Sequence, residues 1–333
     1  MTEKTHGKVV VTDYLNDDFA IERKVLDGLA SIEAPFARSE AELVGKVEDA
    51  DALMVYHEMI LTRATLSRLK RCKLIVRGGV GHDNIDGIAA REFGIDVANI
   101  PDYGTEEVAD SAIGMMLALA RGINQYNSFH RRQNATWNQE CAKPLNRLRG
   151  RTLGVVGLGR IGTAAALRGK AFGMRVLFYD PYKPAGTDKA LGIERAESLG
   201  ELLDRSYVVS LHCSLNEDTH RMIDKGALER LARGAFLINT ARGAVVDTAL
   251  LPWAIESGRL AGAAIDVLEE EPPSADNPLL VAWRDPNHPA HDRLIVNTHS
   301  AFYSEEGLEE IRRKGAENCK RAILGEKPIN VVN

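Results

Sequence analysis

The 333-residue sequence contains few cysteines and no long uninterrupted apolar run. Its longest apolar stretch without a charge, Ala112 to Ala120, is too short to cross a bilayer, so we expect no membrane association. The 4 cysteines are scattered and form no C-x-x-C pair, which favours reduced thiols, no disulfide framework and a cytoplasmic protein. The segment that follows Met1 has no apolar core of the kind that a secretory signal carries.

The sequence also lacks an excess of positive charge. Lys and Arg number 42 against 47 for Asp and Glu, a formal net charge of −5, so we expect no direct nucleic-acid partner. His288 and His291 lie in a polar loop without the three or four ligands of a zinc site, so we expect no metal. The composition, 44% hydrophobic and 27% charged, is that of a globular protein, and the length allows about two domains.

Short β-branched runs alternate with helical patterns along most of the chain. A first series predicts strands over 8–13, 51–56, 73–77 and 96–100. A second series predicts strands over 152–157, 175–180, 207–212, 235–240, 262–267 and 293–298. Alternation of this kind is typical of βαβ units, so the predicted fold class is α/β with two Rossmann-like or flavodoxin-like lobes, each with a parallel sheet.

Two helical patterns lie outside this alternation. One starts at Thr105, a predicted N-cap, and runs to about Asn124, with apolar residues over much of its surface. A polar stretch, 125–149, separates it from the second series of strands. The other helix spans about 305–324, after the last predicted strand, and we expect it to pack back on the first lobe.

A glycine pattern opens the second series. Gly157, Gly159 and Gly162 form G-x-G-x-x-G between a predicted strand and a predicted helix, the context in which this pattern binds a dinucleotide. Asp180 ends the next strand, where an acid holds the adenosine ribose and repels a 2′-phosphate. The pattern therefore predicts NAD as cofactor and makes NADP the less favoured one. A glycine-rich structural turn with a chance acid is the alternative.

Three later strand ends carry an arginine, a glutamate and a histidine. Arg242, Glu271 and His299 each follow a predicted strand, and ligands of such sheets bind at the carboxyl ends of strands. Arginine binds a carboxylate through two hydrogen bonds, histidine can deliver a proton, and a glutamate beside the histidine stabilises imidazolium. The set suits reduction of a 2-keto acid. Taken singly, each residue has a structural alternative, such as a salt bridge for Arg242.

Together these motifs resemble the D-isomer-specific 2-hydroxyacid dehydrogenases over almost the whole chain. The stretches that carry the resemblance are 79–86 (GVGHDNID), 157–162, 239–247, 266–272 and His299. Within the family the chain looks most similar to the C-terminal-binding-protein branch of NAD(H)-responsive co-repressors, on the segments 54–57 (MVYH), 75–77 (IVR), 177–182 (LFYDPY), 211–216 (LHCSLN) and 301–305 (AFYSE). Phe302 stands where the animal co-repressors carry tryptophan, so their substrate preference is not transferred.

The resemblance implies a domain plan and a role for each matching residue. A discontinuous substrate domain, 1–101 plus 299–333, would hold an inserted NAD-binding Rossmann domain, 102–298. His299 would be the acid/base with Glu271, and Arg242 would bind the substrate. The other implied substrate contacts are Tyr56, His57, Arg77, Val80, Gly81 and Phe302. The implied cofactor contacts are Val80, Thr105, Gly157, Leu158, Gly159, Arg160, Ile161, Gly162, Asp180, Cys213, Ser214, Leu215, Asn216, Thr219, Thr240, Ala241, Arg242, Asp266 and His299.

The function expected from these observations is NAD-dependent interconversion of a small 2-keto acid and its D-2-hydroxy acid by hydride transfer. The alternative is an NAD(H)-sensing, co-repressor-like regulator with weak dehydrogenase activity. An enzyme for a phosphorylated acid ranks lower, because no cluster of extra cations accompanies Arg77. The resemblance also implies a homodimer through the 105–150 region. Burial of the apolar 105–123 helix within one chain is the alternative to that dimer.

Overall fold

The first series of strands forms a five-stranded parallel sheet. In the computed structural model, which describes residues 7–15, 18–131 and 136–333, its strands are β1 (Gly7–Val11), β2 (Ala30–Glu33), β3 (Ala52–Val55), β4 (Leu74–Arg77) and β5 (Asp96–Asn99). Their spatial order is β2-β1-β3-β4-β5, the flavodoxin-like order. The helices between them are α1 (Ala20–Leu26), α2 (Arg63–Leu66) and α3 (Gly87–Glu92). Strand β2 was not predicted, because only Ile32 of its four residues is buried.

Two consecutive helices precede the second sheet. They are α4 (Thr105–Ala120) and α5 (Ile123–His130). Helix α4 starts at Thr105 itself, and the hydroxyl of this residue is buried without a hydrogen-bond partner among the described residues, so the prediction of Thr105 as an N-cap was wrong. The polar composition of 125–149 obscured α5, which buries none of its side chains. Residues 132–135 of the predicted dimer region lie outside the described residues.

The second series forms a seven-stranded parallel sheet in the order β12-β11-β10-β9-β6-β7-β8. Its strands are β6 (Thr152–Val156), β7 (Arg175–Tyr179), β8 (Glu194–Arg195), β9 (Val208–Leu211), β10 (Ala235–Asn239), β11 (Leu260–Ile265) and β12 (Leu294–Val296). Its helices are α6 (Arg160–Ala171), α7 (Thr187–Leu191), α8 (Leu199–Arg205), α9 (Lys225–Arg230), α10 (Leu251–Glu256) and α11 (Pro278–Arg284). This is the Rossmann order with one added edge strand. The two-residue β8 is too short to leave a sequence pattern.

The chain divides into two compact units, one containing residues up to Gly104 together with Ser304–Asn333, the other Thr105–Tyr303. The last helix, α12 (Glu305–Ile323), belongs to the first unit, where Arg312 pairs with the buried Glu22 of α1 at 2.7 Å. The predicted boundaries at 101 and 299 lie a few residues before the observed ones. The assignment of substrate and cofactor roles to the units stays a prediction.

The strands are apolar because both faces of each sheet are covered. All residues of β6, β9 and β10 are buried. The apolar side chains of α4, including Ile113, Met116 and Leu119, belong to the core on one face of the second sheet. The apolar character of α4 is therefore explained within one chain, and it no longer argues for the predicted dimer.

In the described part of the chain, none of the helices combines the length and the apolar composition that a bilayer span needs. The cytoplasmic location expected from the sequence stays a prediction.

Candidate functional site

The strand ends that carry Arg242, Glu271 and His299 are neighbours in the second sheet. Strands β10, β11 and β12 lie side by side. Beyond them, the N–H of Asp266 donates to the carbonyl of Asn239 at 2.9 Å, and the N–H of His299 donates to the carbonyl of Asp266 at 2.7 Å. The loops that carry the three predicted catalytic residues therefore start from one edge of the sheet, at the carboxyl ends of its strands.

Glu271 and His299 form a hydrogen-bonded pair. Nδ1 of His299 lies 2.6 Å from Oε2 of Glu271, and the other carboxylate oxygen accepts the N–H of Leu268 at 2.8 Å. A carboxylate acceptor requires the Nδ1 proton to be on the histidine, which fixes the orientation and the tautomer of the ring. The proton that can be exchanged with a substrate is then the one on Nε2. Both side chains are partly exposed.

The main chain at His299 adopts a left-handed conformation with φ 53°, which costs a non-glycine residue free energy. The neighbouring Asp266 stabilises this turn, since its buried carboxylate accepts the N–H groups of Ser300 and Ala301 at 3.0–3.2 Å. Burial raises the pKa of Asp266, and these two amides act against that shift. Asp266 thus has a structural role in positioning His299. Its direct contact with a cofactor stays a prediction.

Gly243 brings the Arg242 loop against the segment that leads to Glu271. A Cβ on Gly243 would lie 1.9 Å from the carbonyl carbon of Leu268, so the two main chains could not approach as closely with any other residue. The Arg242 turn is further fixed by Asn239, whose amide donates to the Arg242 carbonyl at 2.9 Å and whose side-chain oxygen accepts the Ala241 N–H at 3.0 Å. Arg242 itself donates from Nη1 to the Ala241 carbonyl at 2.9 Å.

The glycine pattern lies in a cleft of about 670 Å³ within the same unit. Gly157 has φ +85° and a Cβ there would lie 2.6 Å from the Cys213 nitrogen, while a Cβ on Gly162 would lie 2.0 Å from the Gly157 carbonyl oxygen. Among the described residues other than its two chain neighbours, none has an atom within 4 Å of the Cβ position of Gly159. Two glycines thus permit close main-chain contacts, and the third leaves open space in front of the N-terminus of α6. The first N–H groups of this helix have no intrahelical acceptor, so they are available to a ligand in that space.

Asp180 lies in this cleft beside the glycine turn. Its Oδ2 accepts the N–H of Leu158 at 2.8 Å and its Oδ1 accepts the N–H of Tyr182 at 3.0 Å. The carboxylate is thereby held in one orientation at the end of β7, the position at which the sequence predicts an acid for the ribose hydroxyls.

Of the predicted cofactor contacts, seven line the cleft: Gly157, Gly159, Asp180, Cys213, Ser214, Asn216 and Thr219. Leu158 and Leu215 belong to the same two loops, and Arg160, Ile161 and Gly162 form the first turn of α6. Burial raises the pKa of the Cys213 thiol to about 11, so this residue is not an activated nucleophile. The lining that sequence reasoning missed consists of Val156, Tyr179, Pro181, Tyr182, Leu199, His212, Asp218 and Met222.

The hydroxyls of Thr105 and Thr240 offer a test of whether the unit fits a dinucleotide. Both are buried and have no hydrogen-bond partner among the described residues. Both were predicted as cofactor contacts. Buried polar groups in native proteins are normally paired, so two orphaned hydroxyls in this unit fit a ligand that completes them.

The predicted substrate residues of the first unit lie at or just beyond the carboxyl ends of two paired strands, β3 and β4. Tyr56 donates its N–H to Asp13 at 2.8 Å, and Arg77 is buried with Nη1 donating to the Gly78 carbonyl at 2.8 Å. A Cβ on Gly78 would lie 2.7 Å from the Tyr56 ring, and one on Gly79 would lie 1.2 Å from Nη1 of Arg77. The glycines that precede Val80 and Gly81 therefore make room for both side chains.

The remaining predicted substrate residues are His57, which follows Tyr56, and Phe302. The Phe302 ring meets the His299 ring edge to face, with centroids 6.3 Å apart. The structure thus brings Phe302 together with His299 and Glu271, and brings Tyr56 and Arg77 to one edge of the first sheet. Contact of these side chains with a substrate stays a prediction.

A unit with the Rossmann strand order, a glycine-rich cleft and an acid-paired histidine is typical of an oxidoreductase that uses a nicotinamide dinucleotide. Residues 113–301 match the family model "D-isomer specific 2-hydroxyacid dehydrogenase, NAD binding domain". The chain belongs to the D-isomer specific 2-hydroxyacid dehydrogenases.

Individual relatives agree with this assignment. The chain is 38% identical, over 98% of its length, to a D-3-phosphoglycerate dehydrogenase of Methanocaldococcus jannaschii, and 35% identical, over 95%, to C-terminal-binding protein 1 of Caenorhabditis elegans. It spans only 59% and 43% of those two proteins. Among solved structures, the D-lactate dehydrogenase of Aquifex aeolicus, complexed with NAD and lactic acid, is 32% identical with a TM-score of 0.85, covering 96% of each chain. The predicted resemblance to the family, including the co-repressor branch, is confirmed.

Proposed function

We propose that this protein is an NAD-dependent enzyme that interconverts a small 2-keto acid and its D-2-hydroxy acid. The observation that carries the proposal is the 2.6 Å pairing of His299 with Glu271 on the sheet edge that also holds Arg242. The dinucleotide-type cleft around Gly157 and Asp180 supports the cofactor part. The D-lactate dehydrogenase relative, complexed with NAD and lactic acid, supports the substrate class.

In the reducing direction, bound NADH would supply the hydride to the keto carbon. Arg242 would bind the substrate carboxylate through its guanidinium, which fixes the keto carbon in place. His299 would donate the Nε2 proton to the keto oxygen as the alcohol forms. Glu271, which accepts a hydrogen bond from Nδ1–H, stabilises the imidazolium before transfer and keeps the ring oriented. The reaction consumes one proton, which water returns to His299.

We propose NAD rather than NADP as the cofactor. The Asp180 carboxylate is fixed in the cleft by the N–H groups of Leu158 and Tyr182. A negative charge held at this position repels a 2′-phosphate and accepts hydrogen bonds from ribose hydroxyls.

The experiment that tests the function is a screen for NADH oxidation against a panel of 2-keto acids. The reaction is monitored through the loss of NADH absorbance. The panel contains glyoxylate, pyruvate, hydroxypyruvate, branched and aromatic keto acids and a phosphorylated one, with NADPH in parallel. Turnover of one class of keto acid with NADH supports the proposal and indicates the size of side chain that the substrate pocket accepts. The phosphorylated acid is included because the archaeal relative is a D-3-phosphoglycerate dehydrogenase. Absence of turnover on every acid contradicts the proposal.

The second candidate function is that of an NAD(H)-sensing, co-repressor-like regulator with weak dehydrogenase activity. The similarity to C-terminal-binding protein 1 favours it. Tight NADH binding without turnover on any acid, together with binding of a transcription-factor peptide, would support this candidate over the first.

We also propose a homodimer through the 105–150 region. Helix α5 buries none of its side chains, and Trp137 is 92% exposed in the single chain. Light scattering coupled to size exclusion tests this proposal. A dimer that Trp137→Glu dissociates supports it, whereas a wild-type monomer, or a dimer that survives this substitution, contradicts it.

A further inference from the structure

His212 is one of the residues that line the nucleotide cleft, although the sequence assigned it no role. It follows strand β9, and its N–H donates to the Val156 carbonyl at 2.8 Å, which holds it beside the glycine turn. A Cβ on Gly162 would lie 3.3 Å from the Cβ of His212. His212 therefore lies next to the first turn of α6, and its side chain lines the cleft.

The two ring nitrogens of His212 have different surroundings. Nε2 lies 2.9 Å from the hydroxyl of Ser210, a buried residue of β9. Nδ1 is buried and has no hydrogen-bond partner among the described residues. An unpaired buried donor or acceptor destabilises the folded chain by about 1–3 kcal/mol. Its presence in the lining of a cleft therefore indicates a ligand that pairs it.

The imidazole is neutral at pH 7, since burial lowers the pKa of His212 to about 4. A neutral ring carries one proton. If the Ser210 hydroxyl donates to Nε2, that proton is on Nδ1, and Nδ1 is then a donor. Among the described residues that line the cleft, the charged ones are Asp180 and Asp218, whose carboxylates repel a phosphate. A neutral imidazole adds no charge to the cleft and still donates a hydrogen bond.

We propose that Nδ1 of His212 donates a hydrogen bond to the adenosine diphosphate half of the bound cofactor, with Ser210 holding the ring in the required tautomer. His212 is then a cofactor-positioning residue. The inference rests on the proposed function, because it requires a nicotinamide dinucleotide in this cleft. The adenosine diphosphate half is the relevant one, since His212 shares the cleft with Asp180 and Gly159, the predicted ribose and pyrophosphate positions.

The test measures binding of ADP and of NADH to the full chain by isothermal titration calorimetry. The variants are His212→Asn, which places an amide where Nδ1 stands, His212→Gln, which places one where Nε2 stands, and His212→Leu. We expect His212→Asn to bind ADP within about 3-fold of the wild type, and the other two to weaken ADP by about 5- to 10-fold, the value of one neutral hydrogen bond. Ser210→Ala is expected to weaken ADP less.

Two results would overturn the inference. Wild-type affinity of His212→Leu for ADP would show that Nδ1 contributes nothing, and equal weakening in His212→Asn and His212→Gln would reduce His212 to a packing role. Each variant is first compared with the wild type by far-UV circular dichroism, and a native spectrum excludes misfolding as the cause of weaker ADP binding. If the wild-type protein binds neither NADH nor ADP, the proposed function fails, and this result is distinct from the two above.

Discussion

Oε2 of Glu271 lies 2.6 Å from Nδ1 of His299, and this hydrogen bond joins the loop that follows β11 to the loop that follows β12. Glu271→Gln keeps the shape of the side chain but removes the charge that stabilises imidazolium. We expect kcat for keto-acid reduction to fall by about 10-fold or more, with NADH affinity unchanged. Glu269→Gln, a change in the same acidic run, is the matched control. Equal loss in both variants would contradict the assigned partner.

The second prediction concerns the proton donor. His299→Ala removes the only side chain proposed to protonate the keto oxygen, so turnover is expected to fall by about 10²- to 10⁴-fold. NADH affinity, measured by fluorescence titration, is expected to stay near the wild-type value. His220→Ala is the control, because His220 is an exposed histidine of the same unit, 4.0 Å from Glu269. Turnover of His299→Ala within a few-fold of the wild type would rule out the acid/base role.

The third prediction concerns cofactor choice. Asp180→Ala removes the carboxylate from the cleft and leaves the N–H groups of Leu158 and Tyr182 without their acceptor. We expect NADH to bind about 10-fold more weakly and the preference for NADH over NADPH to shrink. Asp204→Ala, which breaks an exposed ion pair with Arg230, is the control and is expected to change neither value. An unchanged NADH/NADPH ratio in Asp180→Ala would refute the ribose assignment.

The fourth prediction is a pH dependence of stability caused by His212. Burial lowers the pKa of His212 to about 4 in the folded chain, below the value of about 6.5 in an unfolded one. Between these values the unfolded chain binds more protons, so the free energy of unfolding falls as pH falls through this range, by at most about 3 kcal/mol.

The measurement compares urea unfolding at pH 7 and pH 5 for the wild type and His212→Asn, a side chain that does not titrate. The wild type is expected to lose more stability than the variant between the two pH values. His220→Asn, a change at an exposed histidine, should behave like the wild type. Equal losses in wild type and His212→Asn would exclude His212 as the cause.

Sequence patterns predicted the fold well where apolar runs are long. The parallel strands of both sheets and the long helix α12 were predicted within a few residues. Strand β2 escaped because only one of its side chains is buried, and β8 because it is two residues long. Helix α5 lay in a polar stretch, and a surface helix without a buried face has no apolar periodicity to detect.

The site was predictable where a residue type carries its chemistry in a motif. Arg242, Glu271 and His299 follow adjacent strand ends, and parallel topology brings such ends together. His212 has no such signal, since its role depends on a buried ring nitrogen that only the packing of the glycine turn against the end of β9 creates. Asp266 also has a structural role that the sequence did not predict, because its carboxylate accepts the N–H groups of Ser300 and Ala301, and no spacing rule encodes such a contact.

The close approach at Gly243 implies an uneven tolerance to substitution. Its neighbours across the contact are main-chain atoms of Leu268 and Glu269, which every amino acid possesses. The exposed side chain at 269 can therefore vary without moving the two loops apart, whereas position 243 admits no side chain at all. In a saturation library selected for activity, we expect near-complete depletion of substitutions at 243 and broad acceptance of substitutions at 269, a contrast that follows from backbone geometry and is independent of catalytic chemistry.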